Sequence, residues 1–238
     1  MKSKSLVFIP TYNEKGNVLK LYNHIKSLPI NLDILFIDDS SPDGTGILLD
    51  DVAKKDKNLN IIHRKSKLGI GSAHKDGISW AYNKGYKILI TMDSDYSHSP
   101  EDIYRFIELS NESDVIIGTR YMENSGMGEL SLLRRFLSKS AHFMTHFFLR
   151  MPYDSTNAFR LYRLDNIDNE IINRVESDSY SFFFESLYIL HSKNISILEI
   201  PINLGSRPTG NSKMSTLDAL ISVKTLTKIT FKKYFKGL

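Results

Sequence analysis

The chain has 238 residues, of which 41% are hydrophobic and 24% charged, with a formal net charge of +4. That is enough apolar material for one large α/β domain or two small ones. The absence of cysteine excludes disulfide frameworks and thiolate metal sites. The apolar run that ends at Pro10 is too short for a signal-peptide core, and no stretch approaches the roughly 17–25 apolar residues of a membrane span. No basic run is interleaved with aromatics as a nucleic-acid stacking surface would be. The expectation is a protein of the cytoplasm or of a cytoplasm-facing surface.

Leu6-Val7-Phe8-Ile9-Pro10 is a continuous apolar run, the pattern of a buried parallel strand. Thr11-Tyr12-Asn13-Glu14 then opens an amphipathic helix with Val18, Leu19, Leu21, Tyr22 and Ile25 on one face. A second strand, 32–37, ends in Asp38-Asp39, and Ser40 to Thr45 is turn and cap sequence before a helix through Leu48, Leu49 and Val52. The third strand covers 59–62, the third helix 71–85, and the fourth strand 86–92. Pro100 starts a helix through Ile103, Phe106 and Ile107, and 114–118 is a fifth strand.

Such alternation predicts a mostly parallel, doubly wound sheet, whose ligands bind at the carboxyl ends of the strands. Those ends carry Pro10-Thr11-Tyr12, Asp38-Asp39, Asp93-Ser94-Asp95 and Thr119-Arg120. On extended backbone, Asp93 and Asp95 would point the same way with Cα atoms roughly 6.6 Å apart, suited to a divalent cation and through it a diphosphate. With 17 aspartates in the chain, about one Asp-x-Asp arises by chance, so the surrounding strand ends must decide. A dinucleotide site would need G-x-G-x-x-G after the first strand. The first turn is Pro-Thr-Tyr-Asn-Glu with no glycine before Gly16, although Asp38 suits the acidic position. A nucleotide-sugar site, with Asp38 or Asp39 on the base or ribose, fits better. One of that pair is expected to cap the turn before Ser40-Ser41, and Gly69 and Gly71 suit either a tight turn at a helix start or a ligand role.

In the second half, 131–150 is a helix too rich in Leu and Phe for one amphipathic stripe. It reads either as a core helix or as one lying against lipid, with Arg134 and Ser138 one turn apart as a phosphate-binding pair. His142 and His146 share i, i+4 spacing without a third ligand nearby, which points to packing or solvent exposure. Phe182 to Phe184 read as core, and 195–201 as a strand. The tail, 214–238, sets Leu217, Leu220, Ile221, Leu226, Ile229 and Phe235 among Lys224, Lys228, Lys232, Lys233 and Lys236. This is either a basic interfacial helix drawn to anionic lipid or a solvated helix capping the domain. The division expected is a catalytic domain over 1–213 followed by this helix.

Four blocks, Ile9-Pro10-Thr11-Tyr12-Asn13-Glu14, Ile37 to Thr45, Leu68-Gly69-Ile70-Gly71-Ser72-Ala73 and Met92-Asp93-Ser94-Asp95-Tyr96-Ser97-His98, resemble glycosyltransferase family 2 with its GT-A fold. Ser41-Pro42-Asp43-Gly44-Thr45 narrows the resemblance to the dolichyl-phosphate mannose synthase branch. The resemblance implies an inverting transfer of a hexose, most simply mannose from GDP-mannose, onto a polyprenyl phosphate. It implies nucleotide-sugar contacts at Pro10, Tyr12, Glu14, Ile37, Asp39, Asp93, Ser94, Arg207 and Lys213. Mg²⁺ or Mn²⁺ would be held by Asp93, Asp95 and Ser97, where the family commonly has glutamine at the third position. Arg120, Arg134 and Ser138 would receive the acceptor phosphate, and Asp95, Arg120, Arg207 and Lys213 would carry the catalysis. Arg207 to Lys213 resembles the family's lid, and Asn157-Ala158 departs from the family's Ser-Gly before Phe-Arg. The implied partners are a nucleotide sugar, the lipid acceptor, a membrane surface and a membrane-anchoring protein. Other readings stay open: another donor such as UDP-glucose, a glycan hydroxyl as acceptor, a nucleotidyl or dinucleotide enzyme, or a non-catalytic subunit.

Overall fold

The computed structural model describes residues 4–127, 132–205 and 215–235, the side chains of 132–134 excepted. Seven strands form one sheet: β1 (Ser5–Thr11), β2 (Asp33–Asp38), β3 (Leu59–His63), β4 (Ile88–Thr91), β5 (Val115–Thr119), β6 (Arg160–Arg163) and β7 (Ile197–Pro201). Their spatial order is β3-β2-β1-β4-β6-β5-β7. The helices are α1 (Val18–Ser27), α2 (Thr45–Ala53), α3 (Ile70–Asn83), α4 (Asp102–Glu108), α5 (Leu132–Leu149), α6 (Asn169–Asn173), α7 (Phe182–Ser192) and α8 (Thr216–Phe235).

The central strands are apolar on both faces because helices cover both. Leu6, Phe8, Leu35, Ile37 and Leu89 face one layer with Ala73 and Ile78 of α3, Phe182 and Leu187 of α7, and Leu226 and Ile229 of α8. Val7, Ile9, Ile34, Phe36 and Ile90 face the other with Val18 and Leu21 of α1, Leu49 of α2, and Ile103 and Phe106 of α4. Alternate residues of each strand thus enter alternate layers, as the two-residue period requires. Pairing is parallel for β1 with β2 and β4, β2 with β3, and β5 with β7.

Two expectations need correction. Residues 160–163, not anticipated as a strand, enter the sheet between β4 and β5 and run antiparallel to both. The pattern Arg-Leu-Tyr-Arg hides them, yet Arg160 is wholly buried. Its guanidinium donates to the carbonyls of Asn157, Ser155 and Phe183 at 2.8, 2.8 and 2.9 Å, and to Ser186 Oγ at 3.2 Å. A buried cation satisfied by carbonyls in this way stitches β6 to α7. Secondly, the Asp-Ser-Asp tip is not extended strand. β4 stops at Thr91, residues 94–98 form a bend, and Tyr96 adopts φ 64°. The geometric argument from strand periodicity therefore does not apply to Asp93 and Asp95.

Candidate active site

The carboxyl ends of β1, β2 and β4 open onto one crevice, and hydrogen bonds tie their loops together. Asn13 N–H donates to Ser41 Oγ at 2.9 Å, Glu14 N–H to Thr45 Oγ1 at 3.0 Å, and Lys15 N–H to Asp43 Oδ2 at 3.1 Å. The Ser-Pro-Asp-Gly-Thr segment is thus a clamp on the β1–α1 loop, and Gly44 supplies the left-handed φ of 88° that its turn needs. Of the adjacent aspartates, Asp38 is the cap: its carboxylate accepts Ser41 N–H at 3.1 Å and Ser41 Oγ–H at 2.5 Å.

Asp39 turns the other way, and Arg64 Nη1 donates to its Oδ1 at 2.7 Å. Burial pushes the Asp39 carboxyl upward, offset in part by Arg64 and by the amides of Leu68 and Gly69. Arg64 also donates to Ser72 Oγ at 2.5 Å, so it joins the end of β2 to the start of α3. That start is crowded: a Cβ on Gly71 would lie 2.7 Å from Ser179 O and 2.8 Å from Phe182 Cβ. The two glycines serve close packing there. Of the other residues expected on the donor side, Tyr12 is half-buried under Lys67 Nζ, 4.5 Å from the ring centroid. Pro10, Glu14 and Ser94 are buried, and the Ile37 side chain lies in the core.

At the tip, Asp95 Oδ1 accepts Ser97 N–H at 3.0 Å, and Ser97 O accepts Gly205 N–H at 3.0 Å. The latter bond brings Gly205 against the bend that follows the aspartates. Arg207 and Lys213 lie outside the described residues. The donor set at the tip is all oxygen, which suits a hard divalent cation. Among the described residues no group of three or more His, Cys, Asp or Glu side chains gathers. Asp93 and Asp95 are the carboxylates there that could hold such a cation, with a diphosphate's oxygens as the complement.

The end of β5 presents Arg120 beside Asp154, which is wholly buried. Arg120 Nε and Nη2 donate to the two Asp154 oxygens, each at 2.7 Å, Nη2 also to Thr156 Oγ1 at 2.6 Å, and Arg120 N–H to Asp154 Oδ2 at 3.2 Å. Burial by itself would raise the Asp154 carboxyl, but the guanidinium reverses this and holds it below the usual carboxylate range. Glu199 Oε1 in turn accepts Asp154 N–H at 2.6 Å, and burial pushes the Glu199 carboxyl up. On α5, Ser138 Oγ meets Tyr121 Oη at 2.9 Å and His142 stacks on the Tyr121 ring at 4.0 Å. His146 is exposed, with Nδ1 facing Met151 O at 3.2 Å, so one histidine packs and the other meets solvent. Arg134 lies on α5, with its side chain outside the described atoms. Asp154, Arg64 and His98 (2% exposed) were missed by the sequence reading, because each works through a partner remote in sequence.

Residues 6–180 match the family model described as glycosyl transferase family 2. The chain belongs to that family. It is a glycosyltransferase. Polyprenol monophosphomannose synthase of Mycolicibacterium smegmatis is 34% identical over 215 residues, covering 89% of this chain and 81% of that protein. Undecaprenyl-phosphate mannosyltransferase of Micrococcus luteus is 32% identical over 211 residues, 88% of this chain and 87% of that protein. Among solved structures, glucosyl-3-phosphoglycerate synthase from Mycobacterium tuberculosis in complex with UDP superposes with a TM-score of 0.67 at 15% identity, over 96% of this chain and 80% of that one. S. aureus TarS with UDP-GlcNAc gives 0.62 at 16% identity, over 96% and 66%. These similarities establish that the family 2 glycosyltransferase has the GT-A architecture that the motif resemblance implied.

Proposed function

We propose that this glycosyltransferase moves a hexose, mannose from GDP-mannose in the first instance, onto the phosphate of a polyprenyl phosphate. The observation that carries the acceptor class is the state of the carboxylates at the β5 end. An acceptor hydroxyl needs a general base: Asp154 is wholly buried, bound by Arg120 and held below the usual carboxylate range, and half-buried Glu199 already accepts the Asp154 amide. A phosphate monoester, with its second pKa near about 6, is already dianionic at neutral pH and needs none. The two named relatives, whose names specify phosphomannose synthesis and mannosyl transfer to a prenyl phosphate, support the same acceptor and sugar.

In this reading an acceptor phosphate oxygen attacks the anomeric carbon as the bond from that carbon to the nucleoside diphosphate breaks, inverting the configuration. Asp39 and Tyr12 meet the nucleoside. Asp93 and Asp95 hold Mg²⁺ or Mn²⁺, which when bound neutralises charge on the departing diphosphate. Arg207 and Lys213 would add cations to the same group. Arg120, fixed by Asp154, offers its remaining Nη1 to the acceptor phosphate, with Ser138 and Arg134 of α5 as the further contacts expected.

A lipid acceptor also requires a lipid-facing surface. Among the described residues no helix is long and apolar enough to cross a membrane. α5 nevertheless exposes Phe136, Leu137, Phe143 and Phe147, and neighbouring α8 exposes Leu217, Leu220, Phe231 and Phe235 among its lysines. Apolar side chains rimmed by Lys suit a peripheral position on the cytoplasmic face of an anionic bilayer, or a membrane-anchoring partner there. The test is incubation with a panel of nucleotide sugars, Mn²⁺ and polyprenyl phosphate, followed by partition into organic solvent. Label from GDP-mannose should enter the lipid phase, and Asp95→Asn should abolish this. If no donor labels the lipid, the acceptor is wrong, and unchanged transfer by Asp95→Asn would remove the metal assignment.

A further inference from the structure

Asn157 stands where the resembled family block has serine, and the structure gives that departure a partner. His98, 2% exposed, stacks on Phe159 with centroids 4.8 Å apart. Its Nδ1 accepts the backbone N–H of Asp93 at 3.0 Å. An accepting ring nitrogen carries no hydrogen, so the proton of the neutral ring sits on Nε2. There it meets Asn157 Oδ1 at 3.0 Å. Asn157, 3% exposed, donates from Nδ2 to Gly118 O and also accepts Phe159 N–H at 3.2 Å. One directional line of hydrogen bonds therefore runs from the backbone of Asp93 through two buried side chains to the end of β5. A serine has a single hydroxyl on Cβ and cannot span from His98 to Gly118.

We propose that Asn157 is a positioning residue for the donor site: acting through His98, it fixes the backbone that carries Asp93 and registers the β4 tip against the β5 end that carries Arg120. The proposal rests on the reading above that Asp93 and Asp95 hold the metal and diphosphate. Two consequences follow from the bonding. Both His98 nitrogens are occupied, so His98 orients a ligand rather than being one. The Asp93–Ser94–Asp95 bend lies beyond the last paired residue of β4, so this line replaces the sheet bonds that a strand would have provided.

The test uses the full chain, Mn²⁺ and GDP, with bound Mn²⁺ read by its electron paramagnetic resonance signal. Asn157→Ala should weaken Mn²⁺ binding about ten-fold, the low end of what loss of an outer partner costs a metal site. Asp95→Asn serves as the control. If Asp95→Asn binds Mn²⁺ as well as the wild type, the donor-site reading itself fails. If Asp95→Asn is impaired but Asn157→Ala stays within about two-fold of the wild type, the positioning role is overturned while the donor site stands. Should Asn157→Ala not fold, nitrogen-15 NMR of the wild-type imidazole decides. A neutral ring protonated at Nε2 is expected, and a ring protonated at Nδ1 refutes the line.

Discussion

Asp154→Ala is the substitution whose consequence the structure fixes most tightly. It removes a carboxylate with no exposed surface that takes two 2.7 Å bonds from Arg120 and a third, at 3.2 Å, from the Arg120 amide. The cost is dominated by the guanidinium left behind, desolvated and unpaired, and such losses run to about 3–5 kcal/mol. In a chain of this length that corresponds to a melting temperature lower by on the order of 10 °C. Replacing both partners, as in Arg120→Met with Asp154→Leu, removes the orphaned charge and should recover most of the stability without recovering transfer. The pH dependence has a definite sign. The folded carboxyl lies below its ordinary value, so the pair's contribution is present above the unfolded pKa, about 3.9, and is lost as pH falls through the folded one. Urea unfolding followed by circular dichroism, at pH 7 and in steps below pH 4, reads both effects. A loss under about 1 kcal/mol for Asp154→Ala, or a double variant no more stable than the single one, would refute the reasoning.

Two further outcomes are open to direct measurement. His74 is buried among Phe8, Phe182 and Phe183, and desolvation, aided by the charge of Arg160, pushes its pKa down to about 3. The folded state then refuses a proton that the unfolded state accepts, so stability falls as pH drops from about 6.5 towards 3, by roughly 1.4 kcal/mol per unit. His74→Met should flatten that slope in urea titrations between pH 7 and 5, and an unchanged slope would assign it elsewhere. Phe143→Ser with Phe147→Ser removes two stacked, exposed rings from α5. Each ring inserted into a bilayer contributes on the order of 2 kcal/mol, so sedimentation with anionic vesicles should weaken by at least ten-fold at unchanged melting temperature. Equal binding would move the membrane contact off α5.

Much of the first half of the chain was legible because its signals are local. Continuous apolar runs marked β1, β2 and β5, and each ended in the residue types that now line the crevice. What escaped were features settled between distant segments. β6 is four residues bracketed by arginines, and only the carbonyls of Ser155 and Phe183 explain why one of those arginines is buried. Arg120 was legible as a cation at a strand end, but not as a paired one, because Asp154 lies in an unstructured turn 34 residues later. Apolar periodicity carries no information about such pairings. The bend at Asp93 to His98 escaped for a related reason: His98 finds its side-chain partner in Asn157, 59 residues later.

The antiparallel β6 also dictates an order of assembly. β1 to β4 occupy adjacent places in the sheet and can pair among themselves once residue 91 has left the ribosome. β5 cannot join them, because its neighbours are β6 and β7, which are synthesised at 160–163 and 197–201. The nascent chain therefore carries an unpaired, wholly apolar Val-Ile-Ile segment through at least forty residues of elongation. Such an exposed edge favours aggregation. The β1–β4 half can pair as soon as it is made, and the half built on β5 closes only when a strand from downstream is threaded into the gap.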